Sequence, residues 1–461
     1  MSQVNSKAYL FESMPIPKAV AQLSVPMVVT SLVMVVYNLA DTYFVGMLND
    51  PIQNAAVTLA YPVMLAFNAV NNLFGVGTSS MMSRSLGAGD YEKVRTSSAF
   101  GFYGALFSGL LFALICTVFQ TPLMHLLGAD ETTWEATQGY MLWTVTCGAM
   151  PAILNVVQAQ MTRSEGASLH ASIGTMSGCL LNIILDPIFI LPQFLGMGAA
   201  GAGLATCLSN CFAVCYFLVL ARVRKGKTFV CLDIRQLKKL TAPVVTGILG
   251  VGIPASIQNL LNVVGSTILN NFTAAYGATA VAAMGVSHKI NMIPMQIALG
   301  FSQGIMPLVS YNYASGNRKR MKSGILFAMG IIVPAMTCVS LGYWLFAGNL
   351  IGGFMDNPEI IAYGTQFLRG MCLGTVFLCI DFMGVGVFQS LGMGRTALVF
   401  AILRKIVLEI PLLFLLNHLF PLYGLAYAQC TTEIVLASAA LIMLVRIFNQ
   451  KPSHEPGLSA R

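Results

Sequence analysis

The chain has 461 residues, of which 56% are hydrophobic and only 9% charged, against about 25% charged in an average soluble domain. That much apolar surface excludes a soluble fold, so lipid is the solvent, and membrane strands are excluded because the apolar runs are too long and do not alternate. The net charge of +8 sits in the joints between apolar runs, which makes it a topology signal rather than a nucleic-acid patch.

From the N-terminus, a polar segment (Met1 to Lys18) precedes twelve apolar spans, near 19–46, 55–83, 95–119, 135–160, 167–192, 200–221, 240–271, 279–311, 322–347, 359–390, 396–417 and 423–446. Most exceed the roughly 20 residues needed to cross a bilayer, so tilt or extension beyond the lipid is expected. No polar stretch is longer than the joint near 222–240, which leaves no room for a separate catalytic domain. Ten of the eleven Cys lie inside apolar runs, and only Cys231 sits in a joint. Cys207, Cys211 and Cys215 recur every four residues, but no His or carboxylate joins them, so they read as core of a helix face.

Lys and Arg set the orientation. Alternate joints, starting with the N-terminus, hold 21 of the 25 basic residues, while Lys289, Arg369, Arg404 and Lys405 fall within spans. The opposite joints hold Asp50, Asp130, Glu131, Asp356 and Glu359 and no basic residue. The positive-inside rule therefore puts both termini in the cytoplasm of a multi-pass plasma-membrane protein.

The chain also repeats itself. FGVGTSSMMSRSLGAGDYEKV, from Phe74 to Val94, parallels FSQGIMPLVSYNYASGNRKRM, from Phe301 to Met321, with Phe, Gly, Ser and Gly matching at an offset of 227. Pro26 and Pro254 open corresponding spans at an offset of 228, and Gly203-Leu204-Ala205 and Gly424-Leu425-Ala426 open the last span of each half. Six spans separate equivalents, so the fold class is an all-α membrane protein of twelve helices in two six-helix lobes, related by a pseudo-two-fold axis along the membrane normal. The lobes are expected at 1–221 and 241–448, joined by a cytoplasmic linker at 222–240 and followed by a cytoplasmic tail at 449–461. Duplication fits both a carrier and a channel.

Polar groups inside the spans mark the candidate sites. In the fifth span Asn182 and Asp186 are four apart, on one helix face, with Pro187 expected to bend the helix beside the carboxylate. An acid at membrane depth carries a penalty of roughly 2.5–3.5 kcal/mol on insertion scales, and such residues usually face a cavity or an ion path. The first span adds Tyr37, Asn38 and Asp41, the second Met64, Asn68, Asn71 and Asn72, the fourth Tyr140 and Asn155, and the sixth Thr206. Two carboxylates with amide and hydroxyl oxygens can hold Na⁺ or carry a proton; an interhelical hydrogen-bond network without an ion is the alternative. The C-terminal half is polar in a different way. It offers Gln258, Asn259, Asn262, Ser266 and Asn270 in the seventh span, then His288, Lys289, Met295 and Gln296 around Pro294. Asp381, Gln389, Arg404, Glu409, Gln429 and Glu433 follow. Arg404 and Glu409 are expected to pair, and Lys289 to neutralise Asp381 or reach an interface. Glu433 fits either helix packing or a cationic substrate. The 26 Met suit a deformable cavity wall or plain core.

The runs Tyr37-Asn38-Leu39-Ala40-Asp41-Thr42-Tyr43-Phe44-Val45-Gly46, Asn72-Leu73-Phe74-Gly75-Val76-Gly77, Ser83-Arg84-Ser85-Leu86-Gly87-Ala88-Gly89 and Leu181-Asn182-Ile183-Ile184-Leu185-Asp186-Pro187 resemble the multidrug and toxic compound extrusion (MATE) family, and within it the bacterial MepA-like branch. The likeness spans nearly the whole chain. It implies a secondary antiporter, not an enzyme, that exports organic, mainly cationic drugs in exchange for H⁺ or Na⁺ by alternating access. No cofactor is implied, nor a structural metal, and the partners are small organic cations or amphipathic drugs and the bilayer, with the chain acting as a monomer. By resemblance, Asp41, Asn182, Asp186 and Thr206 match the N-lobe coupling site, where Na⁺ can sit, and Tyr140 matches its neighbour. Some relatives carry an acid early in the seventh span where this chain has Ser256, Gln258 and Asn259, so coupling is expected in the N-lobe. The expected substrate contacts are Tyr37, Asn38, Met64, Asn68, Asn155, Gln258, Asn262, His288, Met295 and Asp381. The nearest alternative is a flippase-type carrier of a lipid-linked or amphipathic metabolite.

Overall fold

The computed structural model describes residues 8–354 and 357–449. Lys7, Asp356 and positions 450–461 of the expected tail lie outside the described residues. Helices α1 (Ile16–Gly46), α2 (Pro51–Gly87), α3 (Tyr91–Val118), α4 (Trp134–Ser164), α5 (Ser168–Ile190) and α6 (Gly198–Val223) form the first lobe. The second holds α7 (Ala242–Ala274), α8 (Ala278–Ala314), α9 (Arg318–Gly352), α10 (Pro358–Ser390), α11 and α12 (Gly424–Asn449). A short helix, Gln120–Leu127, follows α3 and has no counterpart among the expected spans. The polar joints supply the caps: Asp50, Asp90, Asn317 and Asn357 each accept a backbone N–H from the first turn of the helix that follows, satisfying donors the helix itself cannot.

Eleven helices among the described residues are long and apolar enough to cross a membrane. The exception is α11, built from Gly394–Ile402, a wider-wound stretch Leu403–Glu409 and Ile410–Leu419. It carries Arg395, Arg404, Lys405 and Glu409, more charge than a lipid-facing span tolerates, and the widened turn falls on these charged residues. Widened turns of this kind concentrate at functional sites. Near the other candidate acid, α5 runs unbroken through Pro187 and ends one turn later at Ile190.

The two lobes repeat one packing plan. In each, the first helix lies on the fifth, the second on the third and fourth, the third on the fourth, and the fourth on the sixth. Every match in the repeat has the same duty in both lobes. Phe74 and Phe301 are buried core. The Ser83 and Ser310 hydroxyls donate to the carbonyls of Ser164 and Ser390, each at 2.9 Å, at the ends of α4 and α10. Gly89 and Gly316 end α2 and α8 with φ of 74° and 78°, a left-handed conformation that favours glycine.

The remaining pair, Gly77 and Gly304, sets the lobe contact. The lobes meet where α1 crosses α8 and α2 crosses α7. A Cβ on Gly77 would strike the Ile248 carbonyl, and one on Gly304 would lie 2.5 Å from Ser24 Cα. Ser80 donates to Gln389 O at 2.6 Å, Ser256 to Ala69 O at 2.6 Å and Gln160 to Gln303 Oε1 at 3.4 Å across the same seam. All but the Ser256–Ala69 contact, which sits at mid-helix, lie toward the end that carries the basic joints. There Arg320 grips the carbonyls of Leu10, Phe11 and Met14, and Tyr311 donates to Glu12 at 2.6 Å. Lys239 in the linker pairs with Glu92 at 2.7 Å. The lobes are thus closed at the basic end, while exposed polar side chains such as Asn262 and Ser266 line the space between them further along. Replacing either glycine by Ala overpacks the seam, with an expected penalty on the order of 1–3 kcal/mol. Because the two sites are quasi-equivalent, Gly77→Ala and Gly304→Ala are expected to lower the thermal unfolding midpoint by similar amounts, which a melting curve in detergent measures directly.

Candidate functional site

In the first lobe, α5 and α6 hold a polar line inside the bundle. Asp186 is fully buried and Asn182 is 1% exposed. With its amide nitrogen turned toward the acid, Asn182 donates to Asp186 Oδ2 at 2.8 Å and accepts from Thr206 Oγ1 at 3.3 Å. The assignment follows from hydrogen bonding, since only the nitrogen can serve a carboxylate. Asn210 donates to Thr206 O at 2.9 Å and accepts from Asn155 Nδ2 at 3.0 Å. A continuous polar path therefore runs from α4 through α6 to the acid on α5.

Helix α1 closes the site from the other side. Asp41 and Asp186 lie within electrostatic reach of each other. The phenol of Tyr37 sits near both acids and the Thr206 side chain, and Tyr140 neighbours Asp41, Tyr37 and Asp186. Tyr140 donates to Met64 Sδ at 3.4 Å. Asp41 keeps one oxygen, Oδ1, buried and without a hydrogen-bond partner. An ionised carboxylate left this way is disfavoured in an apolar medium, so the spot suits a proton or a small hard cation with oxygen ligands.

Of the residues expected to contact substrate, Tyr37 and Asn155 belong to this polar assembly, and Met64 touches its edge through Tyr140. Asn68 accepts from Asn71 at 2.9 Å, and Asn38 is exposed and donates to Met34 O on its own helix. Asn210, unremarked in the sequence, is the joint between α4 and α6. Its only trace there is its position one turn after Thr206.

The second lobe faces the interlobe space with two adjoining cavities. One, of about 120 Å³, is lined by Asn262, His288, Met295, Lys405, Glu409 and Glu433 among others. The second, of about 270 Å³, shares Asn262, Met295 and Phe382 with it and adds Gln258, Gln296 and Gln389. Gln258, Asn262, His288 and Met295 are thus brought together.

Asp381 is placed differently. It is 1% exposed and ion-paired with Arg404, whose guanidinium also reaches Glu433 Oε1 at 3.3 Å and lies over the Phe382 ring at 4.9 Å. The expected Arg404–Glu409 pair is replaced: Lys405 takes Glu409 at 2.6 Å. A four-residue spacing puts Lys405 and Glu409 on one helix face, whereas Arg404, one residue earlier, points to the acids of α10 and α12. Lys289 is exposed on α8 and joins neither pair.

The MatE family model matches residues 26–188 and again 254–415, one block per lobe, starting at the paired prolines Pro26 and Pro254. The chain belongs to the MATE family. Similar curated proteins include the multidrug export proteins MepA of Staphylococcus aureus (strain MRSA252), 32% identical over 95% of this chain and 96% of that protein, and of Staphylococcus saprophyticus, 33% identical over the same shares. Among solved structures, an outward-facing multidrug resistance MATE family transporter of the MOP superfamily superposes with a TM-score of 0.90 at 26% identity, covering 98% of this chain and 99% of that one. The chain is accordingly a multi-pass MATE multidrug efflux transporter and not an enzyme, and the two-lobe, twelve-helix architecture is that of the family.

Proposed function

We propose that this MATE transporter is an antiporter that exports organic, mainly cationic compounds in exchange for H⁺ or Na⁺, with Asp41 and Asp186 as the coupling pair. The observation that carries the reading is the buried, unpartnered Oδ1 of Asp41 next to a fully buried Asp186. Among the described residues no basic side chain forms an ion pair with either acid, so a mobile cation is the natural counter-charge. Thr206 adds a neutral oxygen, and a half-turn of the Asn182 amide brings a second in place of its nitrogen, which suits Na⁺; a proton needs only the carboxylates.

With the basic joints taken as cytoplasmic, the closed end faces the cytoplasm and the cleft faces outward. An ion entering from outside reaches Asp41 and Asp186 and neutralises them. An organic cation held in part by their charge then loses attraction and leaves. Reclosing and opening at the basic end carry the ion inward. Coupling free energies of about 1–3 kcal/mol suffice for such exchange.

The test is export from reconstituted vesicles of tetraphenylphosphonium, a permanent cation without hydrogen-bonding groups. Either an imposed pH gradient or an imposed Na⁺ gradient is expected to drive it above the rate with neither. Equal rates under all three conditions would remove the antiport reading.

A further inference from the structure

The larger cavity of the second lobe has an unusual lining. Six amide side chains, Gln258, Asn259, Asn262, Gln296, Gln303 and Gln389, face its roughly 270 Å³, and none of its described lining residues is ionisable. The apolar remainder includes Met295, Leu299, Met306 and Phe382. Asn72 of α2 adds an amide from the other lobe. The floor lies against the closed seam, where Gln303 meets Gln160 and Ser302 donates to Phe382 O.

This lining belongs to one lobe only. At the repeat offset, the first lobe has Thr30, Ser31 and Met34 where the second has Gln258, Asn259 and Asn262, and Ala69 and Val76 in place of Gln296 and Gln303. In this cavity the second lobe therefore presents neutral amides, while its charged side chains, Lys405, Glu409 and Glu433, line the adjoining smaller cavity.

An amide carries donors and an acceptor on one flat group, and a half-turn about its last bond exchanges them. Gln258 and Gln389 hold each other, and Gln160 holds Gln303, by only one long contact of 3.4 Å each; Gln258, Asn259, Asn262 and Gln296 are half-exposed or exposed and meet a ligand with either face. Such a surface gives no net attraction to charge. It fits many arrangements of carbonyl, hydroxyl and amide groups, while Met and Phe take up a ring.

We infer that the amide-lined cavity is a binding site for the uncharged, hydrogen-bonding part of a substrate, so that neutral aromatic compounds rich in carbonyl and hydroxyl groups are bound without any positive charge. The inference rests on the reading of the chain as a drug antiporter and extends its substrate class beyond organic cations.

The probe is chloramphenicol, which is uncharged and carries one amide, two hydroxyls and a ring, set against tetraphenylphosphonium, both as radiolabelled ligands to the full chain in lipid nanodiscs. Wild type is expected to bind chloramphenicol saturably. Gln258→Glu keeps the shape, removes the donors and adds a negative charge. It is expected to weaken chloramphenicol about tenfold, the loss of one to two hydrogen bonds, while tetraphenylphosphonium binds as tightly or more tightly. Opposite changes for two ligands of one preparation cannot come from misfolding. Absence of saturable chloramphenicol binding to wild type, or an unchanged affinity ratio in Gln258→Glu, overturns the inference. Failure of gradient-driven tetraphenylphosphonium export with this binding intact would instead remove the antiport reading and leave the cavity assignment standing.

Discussion

Asp186→Asn is expected to lower gradient-driven export steeply while leaving the protein folded. The side chain is completely buried and touches Asn182 through one oxygen. An amide of the same shape preserves that acceptor, so the packing of α5 on α1 and α6 is kept. What is lost is the site where a proton or cation can be taken up and released. Asp41 then stands as the sole acid of the site, and binding an ion no longer alters a pair of carboxylates. Coupling of about 1–3 kcal/mol corresponds to about 5–150-fold in equilibrium terms, and the gradient-driven part of tetraphenylphosphonium efflux is expected to fall by a factor in that range. Binding of the same cation in the absence of a gradient reports on folding and cleft shape. Wild-type efflux by Asp186→Asn would end the role given to this acid.

The route from sequence to structure was short for the scaffold. Runs of apolar residues broken by Asp50, Asp90 and Asn317 mark helix ends because those side chains cap the helices that follow. The repeat could be read because close approach and left-handed backbone demand glycine, so Gly77, Gly89, Gly304 and Gly316 survive in both halves while their surroundings drift. Spacing within one helix also carried far: Asn182 and Asp186, four apart, are hydrogen-bonded to each other.

Partners across helices were harder to read. Arg404 has an acid five residues on and another at Glu433, and nothing local tells which one it takes; its partners are Glu433 on α12 and Asp381 on α10. The amide cavity draws on α2, α7, α8 and α10, and only the folded bundle places Gln303 and Gln389 beside Gln258. Arg320 reads as one more topology charge, yet it holds the N-terminal segment across the seam by three carbonyls. The short joints restrict which helices are neighbours, but the rotation of each helix about its axis is settled by packing. For that reason only the folded bundle shows that Tyr37, expected at the substrate, lies within electrostatic reach of Asp41 and Asp186.

Arg404→Met is expected to be the most damaging single substitution in the second lobe. The guanidinium lies between two buried acids, Asp381 and Glu433, each 1% exposed, and stacks over Phe382. Met fills much of the volume but leaves both carboxylates without a counter-charge, and Lys405 is already engaged by Glu409. Removing one partner of a buried ion pair typically destabilises by about 3–5 kcal/mol. A transporter variant of this kind is expected to lose most of its monodisperse yield and to melt well below wild type. The diagnosis is tested by rescue. Asp381→Leu and Glu433→Met, added to Arg404→Met, remove all three charges at similar volume, and replacing a buried charged triad by well-packed hydrophobic groups is often neutral. The triple variant is therefore expected to regain most of the lost melting temperature and, since coupling is assigned to Asp41 and Asp186, to retain gradient-driven export. Recovery of stability without export would mean that the triad has a part in transport, whereas no recovery of either would mean that Arg404 holds α11 by its stacking on Phe382 rather than by its charge.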